Sequence, residues 1–501
     1  MVRLRCFDEL DSTEGTVQLH DEADDGRLIL HPRPNPDDPN DPLNWPRWKK
    51  HVCFGAVCAF TFLTNYAIGG LSPAFYGLGI EFGKTQTEVT ALLLWPILVL
   101  GVFNFFWVPL ANYFGKRPVF PSPGQAQRHS VQLDLYFLHE RGNYLGLYMN
   151  AIAGGNTIGP LICGFVITSL SWRWHKWIAF ILTAVNWIVV LMFVPETRYD
   201  RSYLETSPNP TLRSDTDRAD ASDEELGNGA SAEKVISSNS RETPRHPALR
   251  CKQVPKKTWW QELSLWSGVP KDTNLFVMFI RPFPLIAYPP IIFAFLAYAV
   301  SLAWVVAINI LNSFLLQAPP YSWKPSINGL INIPGLIGNI IGAIIGGWLV
   351  DKYSDRHSKK HNGVFQPESR LHLLWIAGII VPAGCLVFGY GAQDSLNWTS
   401  LFFGYGMVAV GLTAVPVATM TYVSDCYLPV NADALLLVNG LKNIVAFGFL
   451  QGVVPWVTVA GYASTFGTQA GVYVAILLLA LPLIFFGQRI RHASARWRLI
   501  L

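Results

Sequence analysis

A lysine lies deep inside an apolar segment, where a charged side chain is costly. Lys442 occurs in "LLLVNGLKNIVAFGF", with the amides Asn439 and Asn443 close by. Ionisable groups in long apolar helices line solute or proton pathways or pair with one another. Lys442 therefore lines a cavity or pairs with a carboxylate across it, or else its stem packs between helices while its head bonds the amides. Asp433, nearer the start of the segment, is the best acidic candidate for carrying a proton.

Further amides lie in other apolar segments and are candidates for contacting a solute. They are Asn65 (with Tyr66), Asn150 and Asn156 in the first part of the chain, and Asn309, Asn312, Asn328, Asn332 and Asn339 in the second. Such an amide lines a cavity or forms a hydrogen bond to a neighbouring helix. Aromatic side chains such as Trp95, Phe105 and Tyr405 offer cation–π surfaces or face lipid.

The elements that hold these residues are long apolar helices. The chain of 501 residues is 51% hydrophobic and 14% charged, whereas soluble domains are about 25% charged. The apolar blocks do not alternate as barrel strands do, so an all-α polytopic membrane protein is predicted. Segments of about 20 apolar residues can span a bilayer. We expect ten such spans, near 51–75, 87–112, 143–169, 177–195, 288–316, 326–350, 371–391, 399–423, 431–456 and 468–488.

Lys and Arg residues indicate the orientation of these spans. They collect at 49–50, 116–117, 198–201, 352–360 and the C-terminus. All five clusters fall on one side if both termini are cytoplasmic, as the positive-inside rule requires. The opposite loops carry little charge, apart from "SWRWHK" at 171–176.

The predicted organisation has five parts. They are a cytoplasmic tail (1–50), an N-terminal helical bundle of four spans (51–195), a largely disordered cytoplasmic linker (196–287), a C-terminal bundle of six spans (288–488) and a cytoplasmic tail (489–501). The linker contains "SDTDRADASDEELGNGASAEK", which is too polar to bury a core.

Several functional classes have no support in the sequence. A net charge of +4 is too small to indicate nucleic acid. The seven cysteines show no metal-ligand spacing, so we expect neither a metal nor a disulfide framework. No HExxH motif or other catalytic constellation is present, and no cofactor is expected.

One apolar segment carries a pattern of small residues. In "GLYMNAIAGGNTIGPLICG", Gly146, Gly155, Gly159 and Gly164 lie in one span with Pro160. Small residues let a neighbouring helix approach closely, and Pro160 bends the helix. The alternative is ordinary packing of small residues in a membrane helix.

This pattern resembles the antiporter motif in the fifth helix of drug:proton antiporters of the major facilitator superfamily. Cys163 replaces a usual glycine of that motif. "DPNDPLNWPRWKK", "DLYFLHERGNYLG", "VPETR", "NGVFQPESRL" and "YVSDCYLPVNADALLLVNGLKN" are similar to stretches of the fungal members. The resemblance covers most of residues 40–490.

Two loops are similar to the gating loops of that superfamily. "VPLANYFGKRPV" matches in Gly115, Lys116 and Arg117, but Val108, Asn112 and Tyr113 replace its usual Gly, Asp and Arg. "GGWLVDKYSDR", with Gly347, Asp351 and Lys352, is a weaker second copy. The missing acidic residue weakens the charge-relay role that the resemblance assigns to the first loop.

The resemblance implies twelve helices in two halves of six, whereas ten spans are predicted here. "PSPGQAQRHSVQ" stands where the third and fourth helices belong, together with an arginine implicated in proton coupling. Either a splicing or gene-model error removed the sequence of these two helices, or the chain is a natural ten-helix variant. Losing two helices preserves the orientation of every later span.

The resemblance implies proton-coupled export of drugs or secondary metabolites by a monomer in a fungal plasma membrane. Its partners are a small-molecule substrate, protons and the lipid bilayer. Uptake of a cation or nutrient on the same fold is the first alternative. A non-transporting, truncated membrane protein is the second.

Overall fold

The protein is described by a computed structural model, which covers residues 17–18, 38–119, 135–137, 140–197, 258, 261, 275–361, 364–427 and 430–495. Most of the predicted linker and N-terminal tail, and residues 496–501, lie outside this part of the chain. The described residues are mainly helical. Their one strand pairing is short and antiparallel, between β1 (Val17–Gln18) and β2 (Val364–Phe365).

Six helices precede the linker. They are α1 (Arg47–Gly69), α2 (Phe75–Phe82), α3 (Gln86–Phe114), α4 (Lys116–Val119), α5 (Arg141–Ser169) and α6 (Trp172–Phe193). A capping box starts α3: Thr85 Oγ1 accepts from the Glu88 backbone N–H, and the Glu88 carboxylate accepts from that of Thr85. Gly83, at φ +60°, ends α2 just before this cap. The turn between α2 and α3 is therefore specified locally.

Nine further helices are described after residue 197: α7 lies inside the predicted linker (196–287), and the other eight follow it. They are α7 (Leu275–Ile280), α8 (Pro289–Gln317), α9 (Pro325–Gly329), α10 (Asn332–Ala343), α11 (Val350–Lys360), α12 (Leu374–Gln393), α13 (Trp398–Cys426), α14 (Asn431–Leu478) and α15 (Ala480–Ala495). A π-helical turn, Ile344–Leu349, joins α10 to α11, and a 3₁₀ turn, Pro367–Leu371, precedes α12.

Nine described helical segments are long and apolar enough to cross a membrane. The last, Asn431–Ser494, has 64 residues, which as one helix would be about 96 Å long. Gly461 interrupts it with φ 77° and ψ 168°, a conformation that favours glycine. The segment thus supplies two crossing lengths, in agreement with the ten predicted spans.

The membrane-crossing helices run between the same two ends of the bundle. The basic end carries Arg47, Arg141, Arg370 and Arg491, and the opposite end carries Ser72, Gln317 and Gly461. Both α3 and α5 meet the basic end, and only residues 120–134 lie between α4 and Leu135. Fifteen residues cannot form two spans of about 20 residues each. Among the described residues, the N-terminal helices (α1–α6) supply four segments long enough to cross.

The best-buried helices lie after the linker. Within α8, Ala297, Val300, Ala303 and Ile308 are completely buried, as part of a core shared with α13 and α14. In contrast, α6 exposes many of its apolar side chains, which suits a surface in contact with lipid. The C-terminal helices (α8–α15) meet the N-terminal helices where α3 packs on α14 and α5 packs on α9 and α10.

Candidate functional site

Three buried charges and one partly buried charge meet at the basic end and link the two sets of helices. Arg370 Nε lies 2.5 Å from Asp425 Oδ2, and Arg370 Nη1 lies 2.6 Å from Asp351 Oδ1. Arg141 Nη1, at the start of α5, lies 3.6 Å from Asp425 Oδ1. We call Arg141, Asp351, Arg370 and Asp425 the basic-end cluster. Its two cations and two anions balance, which makes burial of Arg141, Arg370 and Asp425 beside the partly exposed Asp351 tolerable.

The cluster is where the first turn of α5 docks onto the C-terminal helices. A Cβ atom added at Gly142 would clash with the Asp351 carboxylate, and one at Gly347 would lie 3.1 Å from the Gly142 carbonyl oxygen. The carboxylate thus lies at a helix N-terminus, where the exposed N–H groups favour negative charge. Lys352 lies outside the cluster and holds its Nζ 4.5 Å from the centre of the Trp348 ring.

A second buried ion pair fixes the last helix to the same end. Arg491 Nε and Nη2 donate to Glu368 Oε1 and Oε2 at 2.9 and 3.0 Å. The side chains of Arg491 and Glu368 are 2% and 8% exposed. This bidentate geometry joins α15 to the turn that precedes α12.

Arg491→Met is expected to destabilise the protein by about 3–5 kcal/mol, because it leaves the buried Glu368 carboxylate without a cation. Adding Glu368→Gln should recover much of the loss. Thermal unfolding in detergent measures both variants beside the matched control Arg356→Met, which removes an exposed arginine. An unchanged midpoint for Arg491→Met would show that the pair contributes nothing.

The first predicted gating loop contacts its own set of helices. The backbone N–H groups of Lys116 and Arg117 donate to the Glu196 carboxylate at 3.1 and 3.0 Å, and Arg117 Nη2 donates to the Leu191 carbonyl oxygen at 2.6 Å. Burial lowers the pKa of the Arg117 guanidinium, and Glu196 opposes that shift. Gly115, at φ +104°, makes the turn between α3 and α4.

A cavity of about 250 Å³ lies beside this loop. Its lining includes Asn112, Lys116, Arg281 and Asp433. Asp433 Oδ2 lies 3.1 Å from Arg281 Nε. The structure therefore places Asp433 in an ion pair at the basic end, away from the middle of the helices.

The glycines of α5 face two different neighbours. A Cβ atom at Gly155 would clash with the Phe62 carbonyl oxygen, and one at Gly159 would lie 2.9 Å from Gly70 Cα. Phe62 lies in α1, and Gly70 directly follows it. In contrast, a Cβ atom at Gly146 would lie 3.2 Å from the Ala343 carbonyl oxygen, and one at Gly164 would lie 2.5 Å from that of Pro325. Gly146 and Gly164 thus face the C-terminal helices.

The two sets of helices also meet at the opposite end. Gln317 Nε2 donates to the Pro73 carbonyl oxygen at 2.8 Å, and the Tyr76 backbone N–H donates to Ser313 Oγ at 3.3 Å. A Cβ atom at Gly329 would lie 3.2 Å from the Pro160 carbonyl oxygen. The sets are therefore in contact at both ends in this conformation.

Lys442 lies between these two regions of contact. Its side chain is 1% exposed, and its Nζ lies 3.6 Å from the centre of the Tyr298 ring on α8. The Tyr298 hydroxyl in turn donates to Met149 Sδ on α5 at 3.6 Å. Asn443 lies beside α3, where a Cβ atom at Gly101 would be 2.9 Å from Asn443 Cβ.

The predicted amides separate into two kinds. Three of them donate to a carbonyl oxygen of their own helix: Asn65 to Thr61, Asn156 to Ile152 and Asn439 to Leu435. Such bonds satisfy the amide locally. Asn332 donates to the Gly329 carbonyl oxygen at 3.1 Å and also accepts from the Tyr405 hydroxyl at 3.2 Å, and Tyr405 also contacts Asn309. Asn312 is 2% exposed, and neither of its amide atoms has a hydrogen-bond partner among the described residues.

The remaining predicted residues lie apart from Lys442. The Tyr66 hydroxyl lies 3.2 Å from Nδ1 of the buried His175, where α1 meets α6. Asn150 is half-buried on α5, and Trp95 is 58% exposed. The structure thus brings together Lys442 with Tyr298 and Asn309 with Asn332. It leaves the α1 and α5 candidates separate.

The basic-end cluster was not predicted as a site. Arg141, Arg370 and Asp425 each lie at or near the end of an apolar segment, where charges are common. The sequence indicated only that these three charges lie on the same side of the membrane. Tyr298 gave no signal, because nothing distinguishes it from other aromatic residues of membrane helices.

The sequence profile of the Major Facilitator Superfamily matches residues 133–447, a range that contains the basic-end cluster and Lys442. The chain belongs to the major facilitator superfamily. It is therefore a multi-pass membrane transporter and not an enzyme. The all-helical, multi-span architecture is that expected of this family.

Known relatives extend the comparison along most of the transporter. Protein HOL1 of Saccharomyces cerevisiae is 24% identical over 94% of this chain and 92% of its own length. MFS antiporter QDR3 of Candida albicans is 24% identical over 90% of this chain and 79% of its own length. The crystal structure of the human organic anion transporter MFSD10 superimposes with a TM-score of 0.50 and 13% identity, covering 87% of this chain and all of that one. This last likeness supports the fold alone.

Proposed function

We propose that this transporter exports small organic molecules in exchange for protons, by alternating access across a fungal plasma membrane. The basic end faces the cytoplasm, as the positive-inside rule requires. The protein works as a monomer without a cofactor or metal. Drugs and fungal secondary metabolites are the proposed substrates.

The observation that carries this proposal is the pair of contact regions between the two sets of helices. The basic-end cluster closes one end, and the contacts of Gly164, Ser313 and Gln317 close the other. Lys442 and Tyr298 lie buried between them. Opening either end in turn would give alternating access to the residues between them.

The glycines of α5 support antiport. Gly146 and Gly164 permit close approach of the C-terminal helices, and Pro160 interrupts the helix between them. A tightly packed helix interface limits the passage of protons and solute when neither end is open. The name of the C. albicans relative, an antiporter, agrees with this direction of coupling.

The residues divide into three proposed roles. Gly347, Asp351 and Lys352 with Arg370 and Asp425 gate the cytoplasmic end, and Gly115, Lys116 and Arg117 brace the neighbouring helices. The central residues contact the substrate: Asn309, Asn312, Asn332, Lys442 and Asn443. The local hydrogen bonds of Asn65, Asn156 and Asn439 favour a structural contribution from these three amides.

Reconstituted protein tests this function directly. Liposomes with a lumen one pH unit more acidic than the medium should accumulate an exported solute up to about tenfold in one-to-one exchange. Two permanent cations, tetraethylammonium and 1-methyl-4-phenylpyridinium, and the anion carboxyfluorescein serve as probes, with the membrane potential clamped. Protein-free liposomes provide the background.

The outcomes separate the alternatives for this ten-span chain. Accumulation that collapses when the pH gradient is dissipated supports proton antiport. Flux driven by a proton gradient of the opposite sign would favour uptake by symport. Absence of flux for every probe would mean that a chain with four N-terminal spans does not transport.

A further inference from the structure

Lys442 is the one charged side chain far from the ends of the described membrane helices. No Asp, Glu, Lys or Arg occurs in α8 or α12, in α3 after Glu88, or in α5 after Arg141. The nearest carboxylate on its own helix is that of Asp433, nine residues earlier and so about 13 Å along the axis. Asp433 already pairs with Arg281. No other described residue at this depth in the membrane has a charged side chain that could carry a proton.

The contacts of Lys442 suit a group that gains and loses a proton. Its Nζ lies over the Tyr298 ring at 3.6 Å, and none of the described carboxylates forms an ion pair with it. An aromatic face stabilises the ammonium without supplying a negative charge. Keeping an ammonium out of water without a counter-ion costs free energy, and release of the proton removes that cost.

The titratable groups around Lys442 are few. On α8 the facing group is the Tyr298 hydroxyl, and Tyr148 of α5 lies close to Tyr298. The residues of α3 nearest to α14 are Gly101 and Phe105, and neither has a titratable side chain. Helices α12 and α13 also pack against α14; α12 has no charged residue, and the one acid of α13, Asp425, pairs with Arg370. The described surroundings therefore hold no carboxylate that could neutralise Lys442 or take its proton.

A change of conformation would also alter the surroundings of Lys442. Its aromatic partner Tyr298 contacts Met149 across the boundary between the two sets of helices. On the other side of α14, a Cβ atom at Gly440 would lie 2.6 Å from the Phe105 ring of α3. Movement of either set changes the surroundings of Nζ and its access to water.

We propose that the Lys442 amine carries the exchanged proton and that the exported solute is an organic cation. The proposal rests on the proposed antiport, because the sign of the coupling decides the charge of the solute. In surroundings of low dielectric constant, a positive solute and an ammonium repel each other strongly. Binding of the cation then breaks one N–H bond of Lys442, the electron pair stays on Nζ, and the proton passes to water. An anionic solute would bind together with the proton, which is symport.

Two substitutions of Lys442 should act in opposite directions. Lys442→Met imitates the neutral amine, so we expect the cation probes to bind at any pH without releasing protons. Lys442→Arg keeps a permanent positive charge, so we expect it to weaken cation binding at every pH. Both should abolish accumulation driven by the pH gradient. Lys84→Met, which removes an exposed lysine, is the matched control and should behave as the wild type.

The measurements use 1-methyl-4-phenylpyridinium as the binding probe. Proton release on its addition is followed in weakly buffered detergent solution, and each variant is checked for its thermal unfolding midpoint. For the wild type, release of a proton with each cation bound makes cation affinity fall as pH falls. This wild-type measurement tests the proposal even if a variant does not fold.

Three results would overturn the inference. Gradient-driven accumulation that persists in Lys442→Met would leave antiport standing but assign the proton to another group. Co-transport of carboxyfluorescein with protons, lost in Lys442→Met, would reverse the charge of the solute. No flux by the wild type with any probe would remove the proposed function, and this inference with it.

Discussion

Arg370→Met should cause one of the largest losses of any single substitution in this transporter. The change leaves Asp351 and Asp425 facing each other at the basic end with only Arg141 to balance them. Breaking a buried ion pair in this way costs about 3–5 kcal/mol. We expect a lower thermal midpoint, opening of the basic end and loss of gradient-driven transport.

Cys426 offers a native reporter for that opening. It follows Asp425 in the chain and is completely buried, so an alkylating reagent should modify it slowly in the wild type. Mass spectrometry of the peptide that contains Cys426 should show faster modification in Arg370→Met. The exposed Arg356→Met serves again as the matched control.

A compensating substitution separates charge balance from side-chain size. Arg370→Met with Asp351→Asn leaves Arg141 paired with Asp425 and restores neutrality in the cluster. This double variant should be more stable than Arg370→Met alone. If Arg370→Met matches the wild type in stability and in Cys426 modification, the cluster does not hold the basic end closed.

Gly164→Val should open the opposite end instead. A Cβ atom at Gly164 would lie 2.5 Å from the Pro325 carbonyl oxygen and 3.3 Å from Gly329 Cα. Both obstacles are backbone atoms of another helix, so α5 and α9 must separate. Overpacking of this kind costs about 1–3 kcal/mol, which moves a two-state equilibrium by roughly 5-fold to 150-fold.

A cysteine introduced by Ser313→Cys reports this second opening, because Ser313 is completely buried and accepts a hydrogen bond from the Tyr76 backbone N–H of the other set of helices. Its modification should accelerate in Gly164→Val while that of Cys426 stays slow. Gly154→Ala is the control, since a Cβ atom there would lie 3.6 Å from the Phe62 ring, an ordinary contact. Gly155→Val, which clashes with α1 alone, should lower stability without selectively exposing the introduced cysteine.

Equal modification of the introduced cysteine in Gly164→Val and Gly154→Ala would contradict the role assigned to Gly164. Together the two reporters distinguish which end opens. In an alternating-access transporter, closing contacts at one end favour the state that is open at the other. The two substitutions should therefore shift the population in opposite senses.

Chain length and apolar content alone predicted the spans. A run of about 20 apolar residues can satisfy its backbone inside a bilayer only as a helix, so the long helices occur where the apolar segments lie, whereas the short α4 and all of the polar α11 after Val350 lie outside the predicted spans. The break at Gly461 separates two of the predicted spans. Burial of Lys442 followed in the same way from the apolar residues around it.

The partners of the buried charges depended on the tertiary structure. Asp351 meets Arg370, and Arg141 meets Asp425, from segments far apart in the chain. An apolar run shows that a helix crosses the membrane but not which helix lies beside it. The partner of Asp433 was unpredictable for this reason, since Arg281 lies outside the predicted spans.

The sequence by itself determined the helical fold, the resemblance to the superfamily and the presence of a charge among apolar residues, because each follows from local residue types. Only the tertiary structure decided that Gly155 faces α1 while Gly164 faces α9, and that Lys442 lies over Tyr298. These facts depend on how helices rotate and pack against one another. Packing is a sum over many distant contacts, so no local pattern encodes it.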